Sequence, residues 1–200
     1  MLVCSIDRGD AMHGFDDFDF LVGDWTVANE RLRTRLKGAA DWERFGAVSR
    51  VEKVMPLHGV QPGAPLPSTT PPPSSTSGRA AGMVDPLREP VVYGGNLDQM
   101  FVPEKGFTGM TLRLYDPATH LWSIYWSDTI SHRLFPPTVG RFEGGLGLFL
   151  GDDVEASVPV KVRFVWTPGV EPVWEQAMST DGGASWEVNW IMRFHSRPAP

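Results

Sequence analysis

From Val91 onward, turn signals about every ten residues cut the chain into short β-prone runs, a rhythm that points to an antiparallel sandwich or barrel. "FTGMTLRLYD" and "LWSIYWSD" flank "DPATH", where Asp116 and Pro117 suit a tight turn. "VGRFEGGLGLFLGDD" turns at Glu143-Gly144-Gly145. "VPVKVRFVW", "EPVWEQAMS" and "SWEVNWIMRF" follow, separated by "TPGVE" and "TDGGA". A closed barrel is expected over an open sandwich because closure removes unpaired edges. Earlier, "ANERLRTRLKGAADWERFGAVSRVEKVMPL" mixes helix-forming charges with alternation. Two strands joined at Gly38 to Asp41 are expected there, since a helix would interrupt the meander.

Two hundred residues suit one domain with a substantial core. Eight tryptophans, eleven phenylalanines and twenty-one glycines fit an aromatic-walled, turn-rich all-β protein. The expected organisation is an N-terminal extension over 1–14 and a barrel domain over 15–195. Within the barrel, 61–78 ("QPGAPLPSTTPPPSSTSG") has six prolines and no aromatic residue, which predicts a disordered loop. A formal charge of −6 without a Lys/Arg cluster argues against nucleic acid as a partner. The first fifteen residues lack the apolar run of a secretory signal, and no later stretch reaches membrane-spanning length. Cys4 is the single cysteine, so no internal disulfide or thiolate cluster can form, and a cytoplasmic location is expected.

At "FDFLVGDW" the chain resembles the calycin superfamily, the lipocalin-like β-barrels whose first strand carries Gly-x-Trp, here Gly23-Asp24-Trp25. "TLRLYDPAT", "WSIYW", "GRFEGGLGLFLGDD" and "STDGGASWEVNWIMRF" extend the likeness, so that Phe18 to Phe194 resembles a bacterial family of uncharacterised lipocalin-like proteins. The resemblance implies a single antiparallel barrel in which Arg193 closes over Trp25; it supplies no reaction. The proline-rich stretch is a departure from that family.

Function turns on which face of each strand points inward. Pairing Tyr115 with Leu121 puts Met110, Leu112, Leu114, Trp122, Ile124 and Trp126 on one face. Pairing Thr180 with Ala184 sets Trp174 against Trp190 and Met178 against Trp186. Exposing such faces would forfeit roughly 1.5–3 kcal/mol per large side chain. The aromatic rows are therefore expected inside, and Arg113, Lys161, Arg163, Glu175, Glu187 and Asn189 outside. A homodimer covering the aromatic face is the arrangement that would reverse this choice.

No nucleophile elbow, zinc helix or Walker loop is present, and the five histidines show no paired metal-ligand spacing, so no metal and no cofactor are expected. The expected function is binding of a small hydrophobic or aromatic molecule inside the barrel. Trp122, Trp126, Trp166, Trp174 and Trp190 would form the walls, and Gln176 would orient a ligand carbonyl or hydroxyl. The alternative is a cofactor-independent enzyme, an isomerase, cyclase or hydratase of a hydrophobic metabolite. Its candidates are Asp128 and His132 in "YWSDTISHRLFPP", since an Asp orienting a His prepares a general base. Turn chemistry before Pro136 explains the same pair without catalysis.

Overall fold

The computed structural model describes residues 14–57 and 92–197. Among these, ten antiparallel strands form one up-and-down meander: β1 (Gly23–Leu32), β2 (Trp42–Leu57), β3 (Val92–Val102), β4 (Phe107–Asp116), β5 (Leu121–Asp128), β6 (Thr138–Glu143), β7 (Leu146–Glu155), β8 (Val158–Thr167), β9 (Val173–Ser179) and β10 (Glu187–Ser196). Each strand pairs with the next, and β10 returns to β1, closing the barrel. The chain is thus all-β, a closed antiparallel lipocalin-like barrel in a single domain, as expected. The charged stretch after Ala28 supplies two strands rather than a helix, as expected, but they are joined through 33–41, since β1 ends at Leu32, and not at Gly38 to Asp41 alone. Residues 1–13 of the expected extension and the expected loop over 61–78 lie outside the described residues. No described helix is long and apolar enough to cross a membrane.

One end of the barrel is plugged. Phe18, Phe20 and Val22 alternate in sequence, yet Asp19–Leu21 is a 3-10 turn, which places Phe18 and Leu21, three apart, on one buried face. Phe18 meets Trp122 and Phe142 edge-on at 5.0 and 4.9 Å between ring centroids. Trp25 packs beside this plug, its Nε1 donating to Leu21 O at 2.8 Å. β2 ends and β3 begins at the plugged end; the opposite end is rimmed by 33–41, 129–137 and 180–186.

Two registers differ from expectation, and both redirect side chains. Asp116, not Tyr115, pairs with Leu121, because the turn holds only the four residues Pro117 to His120. The Asp116 carboxylate secures it by accepting from Ala118 N and Thr119 Oγ1, both at 2.9 Å. A one-residue slip flips a whole strand. Phe107, Thr111, Arg113 and Tyr115 therefore point inward, while Met110, Leu112 and Leu114 face out.

In β10 a bulge between Val188 and Trp190 splits the aromatic row. Trp190 pairs with Gln176 and Met192 with Trp174, all inward, whereas Trp186 lies beneath the Arg163 guanidinium on the outer side. Asn189, expected outside, is fully buried. Glu187, also expected outside, turns to the open rim, where its carboxylate accepts from Leu36 N and Gly38 N. Lys161 does face out, paired with Asp152 at 2.7 Å.

Candidate functional site

A cavity of about 260 Å³ occupies the barrel between the plug and the open rim. Its wall is a chain of tilted rings. Trp126 meets Trp190 at 6.3 Å and 81°, Trp190 meets Trp174 at 5.7 Å and 80°, and Trp174 meets Phe164 at 4.9 Å and 62°. Such edge-to-face pairs stabilise beyond their buried area and hold each ring in one orientation. Two indoles are also tied by hydrogen bonds. Trp190 Nε1 donates to Asn29 Oδ1 at 2.9 Å, and Trp126 Nε1 to Asp128 Oδ2 at 2.9 Å. Gly109 permits the position of Trp126, since a Cβ there would lie 1.9 Å from the indole.

Trp126, Trp166, Trp174, Gln176 and Trp190, all expected to contact a ligand, line this cavity. Trp122 does not; it belongs to the plug, against Phe18 and Tyr115, with its Nε1 donating to Asp17 Oδ2 at 3.2 Å. Gln176 Nε2 donates to Asn189 Oδ1 at 2.8 Å, and its Oε1 has no partner among the described residues.

Asp128 lines the cavity near the rim, but its carboxylate is committed to its own loop. Oδ1 accepts from Ile130 N (2.9 Å) and Ser131 N (2.6 Å), while Oδ2 holds Trp126. Burial pushes its pKa up, yet the bonds from Ser131, Trp126 and Ile130 outweigh that and leave it below the usual Asp value. His132 is exposed, and its link to Asp128 is backbone only, His132 N donating to Asp128 O at 3.0 Å. The expected Asp–His general-base pair is therefore not assembled: the residues serve the turn that their spacing also allowed. Arg193, expected over Trp25, instead extends along the outside of β10 to Glu30 Oε1 at 2.6 Å.

The feature that sequence reasoning missed is a buried polar cluster on the floor of the cavity. Arg113 is only 3% exposed and lies between the Phe18 and Trp166 rings, its Cζ 5.3 and 5.4 Å from their centroids. Its Nη1 donates to Asn96 Oδ1 at 2.9 Å and sits 2.8 Å from Asp98 Oδ1. Asp98 Oδ2 accepts from Ser49 Oγ at 3.4 Å. Asn96 and Asp98 alternate in "GGNLDQM" with inward Met100, so a strand with polar residues on its core face was the available signal.

The rim is charged. Arg31 lies over Trp190 and Phe45, 5.1 and 5.2 Å from their centroids, and pairs with Glu43 at 2.9 Å. Lys105 reaches the other Glu43 oxygen at 2.9 Å. The Lys105 bond, aided by Arg31 and only partly opposed by desolvation, holds the Glu43 carboxyl down to about 2. Its folded pKa is depressed, so its stabilising contribution is complete above the unfolded value near 4.5 and is lost as pH falls toward 2. Glu43→Gln is expected to flatten the acid limb of a stability–pH curve measured by urea unfolding in that window. An unchanged slope would remove Glu43 as its source.

The chain matches no family model and no curated protein.

Proposed function

We propose that the barrel binds a small, largely apolar or aromatic molecule, held between Trp126, Trp174 and Trp190. The observation that carries this reading is the ring-walled cavity itself. At about 260 Å³ it is just below the range of roughly 300–1,000 Å³ usual for small-molecule pockets, which suits a ligand of one or two rings or a short chain. The plug and the tied indoles mean that little ordering of the protein would accompany binding, and preorganised walls lower the entropic cost of association. The same reading takes the chain as a lipocalin-like protein. Support comes from barrel closure and from Gly23-Asp24-Trp25 at the plugged end, where Trp25 meets Phe194 edge-on at 6.0 Å.

Titration with a panel of one- and two-ring aromatics is expected to change tryptophan emission, because three indoles would contact the ligand. Trp174→Ala should weaken affinity by about tenfold or more, the equivalent of roughly 1.4 kcal/mol of lost ring contact. His132→Ala should leave affinity unaltered, since that side chain is exposed and outside the cavity. Emission indifferent to the whole panel would end this reading.

A further inference from the structure

Building on the binding reading above, we infer that the ligand is an apolar monocarboxylate whose carboxylate seats on the Nε/Nη2 edge of Arg113 at the cavity floor. The guanidinium is buried, yet Asn96 and Asp98 engage it only through Nη1. Nε is fully enclosed without a hydrogen-bond partner, and Nη2 has none among the described residues. These two nitrogens form one edge of the planar fork, and their parallel N–H bonds match the two oxygens of a carboxylate.

Two further donors on residues lining the same cavity are also buried without acceptors among the described residues: Trp166 Nε1, on the ring that Arg113 covers, and Thr138 Oγ1. Thr138 pairs with Ile124, which pairs with Arg113, so it stands two strands along the same hydrogen-bonded row. A buried donor left unpaired is costly, and a cluster of them favours a guest that brings accepting oxygens. The Trp126–Trp190–Trp174 wall then receives the apolar remainder, nearer the rim. Asp98 already opposes the charge of the same guanidinium, so a phosphate ester would add two uncompensated negative charges where a monocarboxylate adds one, and the monoanion is the less costly guest.

Calorimetric titration of the full chain with two matched pairs, cinnamate against cinnamyl alcohol and octanoate against 1-octanol, tests this. Each carboxylate is expected to bind at least about tenfold more tightly than its alcohol. In proton–nitrogen spectra the Arg113 Nε–H resonance is expected to move downfield with cinnamate and not with the alcohol. Arg113→Met combined with Asp98→Leu, which removes both charges together, should abolish the preference while keeping alcohol binding.

Equal affinities within each pair would overturn the carboxylate assignment and leave apolar binding standing. Failure of all four compounds to bind would instead count against the binding reading itself. A preference that persists in the folded double variant would transfer the anion to Arg31 or Lys105 at the rim and overturn the role of Arg113. Should that variant not fold, an unmoved Nε–H resonance in the unaltered protein overturns the proposal by itself.

Discussion

Arg113→Met alone is expected to destabilise the barrel by about 3–5 kcal/mol, because it strands a buried carboxylate without its countercharge. Asp98 is 6% exposed, and with Arg113 gone its remaining side-chain hydrogen bond among the described residues is the one from Ser49 Oγ at 3.4 Å. Replacing both partners is a different experiment. Arg113→Met with Asp98→Leu leaves no charge to desolvate, and buried ion pairs exchanged for apolar groups are often neutral or stabilising. Urea unfolding followed by tryptophan emission should therefore show the double variant recovering most of the loss. A single variant as stable as the parent would mean that Asp98 finds another partner, and the cluster would lose its standing as a structural centre.

The second large effect is expected at the plug. Phe18→Ala should cost about 3–5 kcal/mol, the usual range for deleting a fully enclosed phenylalanine, since the transfer term and the cavity left behind add. Phe18 is 1% exposed and touches Trp122, Phe142, Phe149 and Trp166, so no single neighbour can collapse into the space. The side chain also backs the Arg113 guanidinium, so any surviving folded fraction should bind carboxylate probes less tightly than the parent. Trp186→Ala provides the contrast. That ring is partly exposed on the outer side of the barrel, and its removal should cost about 1 kcal/mol, the typical centre of point-mutant effects. Comparable losses at Phe18 and Trp186 in denaturant midpoints would contradict the placement of the core.

Strand existence and order were legible because they depend on local chemistry. Gly144-Gly145, with φ of 58° and 83°, could be identified as a hairpin turn from composition, since both residues adopt left-handed backbone without a Cβ penalty. The same holds for Asp116-Pro117 and for the alternation that identified β1 and β2 despite their charges. Most of the cavity wall was legible too. The expected β9–β10 pairing was displaced by two residues beyond the bulge, and a shift of two preserves the facing of side chains, so Trp174 and Trp190 still met inside.

Where the displacement was one residue, the reading inverted. In β4, hydrophobicity favoured Met110, Leu112 and Leu114 as the inner row, and each of those residues would have packed acceptably there. What sends Arg113 inward is the length of the Asp116–Leu121 turn together with Asp98 and Asn96, two strand residues some fifteen positions earlier whose polar groups become its partners only after β3 and β4 pair. A one-residue register change is small in sequence and complete in consequence, because side chains alternate with a period of two.

Thus the amino-acid sequence by itself determined the meander, its turns and an aromatic interior, each a matter of residues near one another along the chain. Tertiary structure decided the rest: the bulge that divides Trp186 from Trp190, the 3-10 plug around Phe18, the separation of Asp128 from the His132 imidazole, and the buried Arg113. These depend on strand registers summed around a closed barrel, where the energy of a buried charge is set by partners that the sequence keeps apart and only closure brings together.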